Sequence, residues 1–359
     1  QGRPSTRSLS AYTANLMPTT QNNPLGLITG YPGWLTTRLL ESLRDQNATD
    51  PWQKTLAPYR WRALIAPGVD PGPRPSNIET IHPGDIRDPH AATKAMQDVD
   101  LGLHAAGILH PRRIQDLYAI NRDGTAHLAR AAVAAGVRRF AFISTNAAAG
   151  FAPNADTPMR ESDPPQPASH YGKSKRQGEE ALWSILANTQ TAGVVIRPTT
   201  FYGPHFPRRH LRAYQMARGG RPLLIGDGTN SVSMIYIDNL VQGLGRALSA
   251  EAAAGQTYFF ADEKPYLWRD VFYAMGRAQD VAVRPRHLPG LLAPLCNALD
   301  RGLGALGRYH LLVHVAGEAT RHMGCAIDKA RDELGYTPTV ALEEGIKEAV
   351  TWARTQGWL

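Results

Sequence analysis

Short apolar runs alternate with amphipathic stretches through the first 200 residues. Leu25–Ile28 is an apolar run that breaks at Gly30, and Trp34, Leu35, Leu39, Leu40 and Leu43 follow at helical spacing, which predicts a strand, a turn and a helix. Further strands are predicted over 61–66, 78–82, 99–106, 137–144 and 192–197, with helices after Pro89 and over 117–135 and 171–188. The stretch 45–60, polar and carrying Pro51 and Pro58, reads as an inserted loop, and 69–77 with Pro71, Pro73 and Pro75 as another. Strands alternating with helices imply an α/β protein with a doubly wound parallel sheet covered on both faces. After Pro198 the pattern is less regular. Helices are predicted over 238–249, 267–278, 327–334 and 342–355, a strand over 256–261, and an apolar segment over 288–316. The resulting division is a flexible arm over 1–23, a dinucleotide-binding domain over 24–200 to which 238–249 returns, and a smaller, mainly substrate-binding domain over 201–359.

Composition narrows the class. Of 359 residues 43% are apolar and 19% charged, enough for a packed core and unlike a disordered or fibrous chain. The net charge of +8 favours anionic ligands in general, but no run of five basic residues asks for nucleic acid. Cys296 and Cys325 cannot build a disulfide framework, and no cysteine/histidine spacing suggests a metal. Residues 1–23 lack the apolar stretch of a signal peptide, and 288–299 is too short to span a bilayer. The expected location is cytoplasmic, with the periphery of a membrane as the alternative.

Candidate chemistry gathers at the predicted strand ends. The turn Thr29-Gly30-Tyr31-Pro32-Gly33-Trp34 sits between the first strand and helix, where glycines let the backbone approach a pyrophosphate at a helix N-terminus. The second strand ends at Ala66 without the carboxylate that would hold a ribose 2′-hydroxyl. That leaves room for a 2′-phosphate beside Arg62 or Arg74 and a slight lean to NADP over NAD. Tyr171 and Lys175 are one helical turn apart and share a face; an ammonium near a phenol favours the phenolate, so the pair can exchange a proton near neutral pH. Ser144 and Thr145 place hydroxyls at the end of the fifth strand, the edge where α/β proteins bind ligands.

These motifs, followed along the chain by Gly84-Asp85-Ile86-Arg87-Asp88, His104-Ala105-Ala106-Gly107, Asn121-x-x-Gly124-Thr125, Arg197-Pro198 and Tyr202-Gly203-Pro204, resemble the extended short-chain dehydrogenase/reductases of the NAD-dependent epimerase/dehydratase type. The resemblance runs from about Gly26 to the C-terminus and implies a Rossmann-like fold. It implies a cofactor site built from Gly30, Tyr31, Gly33, Trp34, Leu35, Asp85, Ile86, Ala105, Ala106, Gly107, Asn121, Lys175, Pro198, Thr199 and Thr200. Tyr171 would exchange the proton, Lys175 would hold the nicotinamide ribose, and Thr145, with Ser144 as the alternative, would orient the substrate oxygen. Thr36 stands where the family usually has a third glycine, and its side chain is expected to crowd the helix against the strand.

The substrate class is read from the second half. Leucines at 288, 291, 292, 295, 299, 303, 306, 311 and 312 supply apolar surface, and the segment looks like the 3β-hydroxysteroid dehydrogenase branch. The main expectation is therefore an NAD(P)-dependent alcohol/ketone oxidoreductase acting on an apolar, sterol-like or long-chain small molecule. In that arrangement the leucines face a cleft bounded by Tyr202 and His205, and Arg284, Arg286, Arg301 and Arg308 allow contact with a membrane. A nucleotide-sugar epimerase and a non-catalytic NAD(P)-binding protein are the alternatives, and a homodimer is left open. Arg208, Arg209 and Arg212 read as solvated charges, with an anionic substrate group as their alternative partner, and no metal is expected.

Overall fold

The computed structural model describes residues 23–45 and 47–359, so the arm expected over 1–23 lies, except for Asn23, outside the described residues. Strands β1 (Leu25–Thr29), β2 (Arg60–Ile65), β3 (Ile78–Pro83), β4 (Leu101–His104), β5 (Arg139–Ile143) and β6 (Ala192–Pro198) are joined by a seventh strand, Gln256–Phe260. Across the sheet the order is Gln256–Phe260, β6, β5, β4, β1, β2, β3, every pair parallel. The order reverses direction between β1 and β4, so their C-terminal ends open a crevice between diverging connections.

Alternation along the strands explains why both faces are covered. Leu27, Leu64, Phe140, Phe142 and Val195 fill one core, beneath α3 (Pro89–Ala95), α5 (Thr125–Ala134) and α6 (His170–Leu186). Their neighbours Ile28, Ala63, Ile65, Ala141, Ile143, Val194 and Ile196 fill the other, against α1 (Trp34–Ser42), α2 (Pro51–Leu56) and α8 (Ile237–Ser249). Successive side chains on a strand point to opposite faces, so strands apolar throughout must be buried twice.

Two expectations change here. The stretch 45–60 is not all loop: α2 begins at Pro51, where a missing N–H costs no hydrogen bond, and buries Trp52 and Leu56 one turn apart. A side chain at Gly245 of α8 would collide with the Trp52 ring, so this contact is tight. The helix expected over 117–135 is α4 (Ile114–Tyr118) and α5 with a wider π-helical turn, Ala119–Gly124, between them. The turn carries buried Asn121, and a side chain at Gly124 would run into Ile86.

The remainder of the chain caps the crevice. Three two-stranded pieces, including Thr200–Tyr202 beside Met234–Tyr236, connect α7 (Arg208–Arg218), α8 and α9 (Trp268–Arg277). Helices α10 (Leu292–Ala305) and α11 (Leu311–Glu318) form a pair packed closely enough that a side chain at Gly317 would strike the backbone of Asn297. Helices α12 (Asp328–Leu334) and α13 (Leu342–Thr355) end the described chain, Ile346, Ala349, Val350 and Ala353 burying one face of α13.

Candidate active site

The turn after β1 is held by its own backbone. Gly30 has φ +84°, and a side chain there would meet the backbone of Ala105 at 2.7 Å, so glycine is required both for the conformation and for the approach of the β4 loop. The Gly33 amide donates to the Gly30 carbonyl at 2.7 Å. No side chain caps the N-terminus of α1, which leaves its first amides directed at the crevice. Thr36 does not wedge helix and strand apart. Its buried hydroxyl donates to the carbonyls of Gly33 (2.9 Å) and Gly30 (3.1 Å), tying the turn to the helix.

Ser169 caps α6 by accepting from the Gly172 amide at 3.2 Å, which sets the first turn and thereby Tyr171. The Tyr171 phenol lies within hydrogen-bonding reach of the Thr145 hydroxyl; burial pushes it up to about 12, with Thr145 and the Arg209 charge pulling the other way. Lys175 is buried, donates to the Ile143 carbonyl at 2.7 Å and lies 4.5 Å from the centre of the Phe142 ring. Burial brings it down to about 7, partly offset by Glu179. The expected direct action of the ammonium on the phenol is therefore not the arrangement of this structure, in which Lys175 faces the backbone of β5.

The two candidate hydroxyls separate cleanly. Ser144 donates to buried Glu179 at 2.5 Å, and Glu179 also accepts from Arg197 at 2.9 and 2.6 Å, so the Ser144 proton is committed beneath the sheet edge. Thr145 stays at the cleft beside Tyr171. We expect Thr145→Val to keep the fold but lower turnover by about 10-fold or more, since a hydrogen bond to an oxygen that develops charge is worth about 1.5–3 kcal/mol. Steady-state kinetics with a Ser144→Ala control checks this; loss of turnover in the control alone would reverse the assignment.

The crevice is a cleft of about 480 Å³ lined by most of the expected positions: Gly30, Gly33, Trp34, Leu35, Ala105, Ala106, Gly107, Ser144, Thr145, Tyr171, Lys175, Pro198, Thr199 and Thr200. Four others lie behind it. Asn121 donates to the Ile108 carbonyl and to Ser174 and accepts from the Ile108 amide, bracing the β4 loop rather than facing the cleft. Asp85 is engaged by Arg87, Ile86 packs under Gly124, and the Tyr31 hydroxyl donates to the Pro73 carbonyl, fastening the 69–77 loop over the turn. Arg62 is not available to a 2′-phosphate, because its guanidinium donates to the carbonyls of Ala95 and Gln97 beyond α3.

Beyond Tyr171 the wall is mixed, with Ile108, Leu109, Ala147 and Met323 beside a set of polar groups. Asn146, Ser169, Arg209, His314 and Glu318 line it, with His210 and Phe201 near Trp34. Arg209 forms no ion pair with any described residue, whereas His314 is held by Asp300 (3.0 Å to Nδ1) and faces Glu318 (3.7 Å from Nε2). Burial, with the Arg209 charge, holds His210 down to about 4. Sequence reasoning passed over Ser169, His314 and Glu318, and preferred a solvated charge to an anion-binding role for Arg209. Arg209 was indistinguishable from its surface neighbours, although His314 and Glu318, four apart in a helix, carried a legible spacing.

The apolar arrangement expected for 288–316 does not occur. None of its leucines lines the cleft; Leu291, Leu295, Leu306 and Leu312 are 75%, 65%, 74% and 53% exposed. Tyr202 is buried with its hydroxyl on Asp262 (2.7 Å), and His205 packs on Trp352, so neither bounds the cleft.

The chain belongs to the NAD dependent epimerase/dehydratase family, whose model matches residues 26–259. Uncharacterized protein y4nL of Sinorhizobium fredii is 35% identical over 351 residues, covering 95% of this chain and 98% of that protein. The N-acetyl-alpha-D-glucosaminyl-diphospho-ditrans,octacis-undecaprenol 4-epimerase of Escherichia coli O157:H7 is 29% identical over 222 residues, 59% of this chain and 66% of that protein. In fold, the chain is similar to the UDP-glucuronic acid 4-epimerase of Bacillus cereus in complex with UDP-glucuronic acid and NAD (TM-score 0.70, 20% identity, 92% of this chain and 99% of that one). The family match does not single out the 3β-hydroxysteroid dehydrogenase branch. The expectation of an apolar small-molecule substrate is overturned: the similar solved structure holds a polar nucleotide sugar, and none of the leucines offered as the substrate wall lines the cleft. No observation favours NADP specifically: Arg62, one of the two arginines expected beside a 2′-phosphate, is occupied elsewhere.

Proposed function

We propose that the chain is an NAD-dependent epimerase acting on a sugar carried on a diphosphate, with a nucleotide sugar as the substrate class. The observation that carries this reading is the set of polar groups beyond Tyr171, where Arg209 offers a cation without an ion-pair partner among the described residues and Asn146, Ser169, His314 and Glu318 offer hydrogen-bonding groups to sugar hydroxyls. An apolar substrate would desolvate the Arg209 guanidinium with no counter-charge to meet it, at a cost of about 1–3 kcal/mol or more. Similarity to epimerases of UDP-linked and undecaprenol-diphosphate-linked sugars supports the same chemistry.

The residues fit a dinucleotide. The glycine turn, the uncapped start of α1 and the backbone of Ala105 and Ala106 would hold its diphosphate and ribose, and Lys175 and Pro198–Thr200 its nicotinamide end. Bound NAD supplies a hydride acceptor and, in oxidised form, a positive charge. Tyr171 takes the proton of the sugar hydroxyl when a ketone forms and returns it when the alcohol is restored. Thr145 holds that oxygen against the phenol. The step needs the phenolate: burial, which pushes Tyr171 up to about 12, opposes it, and the charge of Arg209, with that of oxidised NAD when bound, favours it.

The test is a panel of purified protein with NAD or NADP and UDP-glucose, UDP-N-acetylglucosamine, UDP-glucuronic acid and a polyprenyl-diphosphate sugar, read by chromatography of the sugars. Interconversion of one pair without net consumption of NAD is expected. Turnover of only the polyprenyl-linked sugar would assign the carrier to lipid rather than nucleoside, and net reduction of cofactor without an epimer would replace epimerisation by simple oxidation. NADP outperforming NAD would overturn the cofactor choice.

A further inference from the structure

Helix α11 has two faces with opposite chemistry. His314 and Glu318, one turn apart, face the cleft, and Asp300 of α10 joins them. Leu312 on the far side, and Leu311 and Val315 at the edge next to the polar pair, are 53%, 41% and 54% exposed. On α10 and the residue preceding it, Leu291, Leu295 and Leu299 repeat every four residues along one stripe, at 75%, 65% and 54% exposed, and Leu306 closes the stripe at the connection. Seven of the ten exposed large hydrophobic side chains among the described residues thus lie between 291 and 315. This concentration, rather than any single leucine, is what distinguishes the surface from ordinary scattered apolar exposure.

The outward charge carried by the segment that forms this face is of one sign. From 281 to 327 the only carboxylates are Asp300 and Glu318, and both turn inward on His314. Arg284, Arg286, Arg301 and Arg308 are exposed, and none makes an ion pair with a described residue. An apolar stripe with cationic side chains and no outward carboxylate complements an anionic lipid surface, whose headgroups take the arginines while the leucines enter the acyl boundary.

We propose that the outer face of the α10–α11 pair is a docking surface for an anionic phospholipid bilayer. The proposal is independent of the substrate read from the cleft. It follows from the fold that the bound protein sits with the polar face of α11, and hence the cleft wall, directly behind the membrane contact.

The experiment is co-sedimentation of the full chain with phosphatidylcholine vesicles, with and without phosphatidylglycerol. Binding is expected only to vesicles that contain phosphatidylglycerol, and it should weaken as salt is added. Leu295→Asp with Leu312→Asp should lower that binding by about 10-fold or more, with unchanged circular dichroism and thermal midpoint because both positions are exposed. Arg301→Ala with Arg308→Ala should weaken binding and flatten its salt dependence. Wild type remaining in the supernatant with both vesicles, or binding both equally, would overturn the proposal. So would light scattering that shows a dimer split by the two aspartates, since the face would then belong to a second copy of the chain.

Discussion

Tyr171→Phe is expected to lower turnover by about 10²-fold or more while leaving NAD affinity within a few-fold of wild type. The loss is the usual scale for removing a positioned general acid or base. The substitution deletes only the hydroxyl that meets Thr145, and leaves the ring against its neighbours, so the cleft should keep its shape. Lys175, buried and bonded to the Ile143 carbonyl, is untouched. Turnover should be measured together with NAD titration by fluorescence. A variant that retains wild-type turnover would remove Tyr171 from the chemistry, and one that loses NAD binding as well would make it a structural residue.

The second large effect concerns stability. Glu179, fully buried, accepts two hydrogen bonds from the Arg197 guanidinium and one from Ser144, and so links α6, β5 and β6 directly beneath the site. Glu179→Leu should destabilise the protein by about 3–5 kcal/mol, because it removes the carboxylate that the buried guanidinium of Arg197 pairs with directly. Glu179→Leu combined with Arg197→Met should recover much of that loss, since an apolar pair of similar volume often replaces a buried ion pair at little cost. Urea unfolding of the three variants measures both. A double variant as unstable as the single one would show that packing of the carboxylate, and not the guanidinium left without its direct partner, dominates.

The same network shows why the catalytic hydroxyl was ambiguous in one dimension. Ser144 and Thr145 are adjacent and chemically alike, and only the position of Glu179 on α6 decides which of them is occupied. Lys175 illustrates a different gap. Its spacing from Tyr171 places both on one face of a helix, but the carbonyl it bonds belongs to β5, and no helical periodicity contains that distance. Arg62 was a reasonable anion partner from its place near the end of β2, yet the C-terminal end of α3 lies close enough to take its donors.

By itself, the sequence determined the doubly wound sheet, because strands apolar at every position must be buried on both faces and helices between them must cover it. It also determined the glycine turn and the Tyr171/Lys175 pair, since both depend on neighbours within a few residues. The substrate wall was decided only by the tertiary structure. Leucines and polar residues share α10 and α11 in similar number, and the direction each faces depends on how the pair docks against the cleft, far away in the chain. Docking turned His314 and Glu318 inward and left Leu312 and Val315 in solvent, because buried polar groups could find partners there in each other and in Asp300.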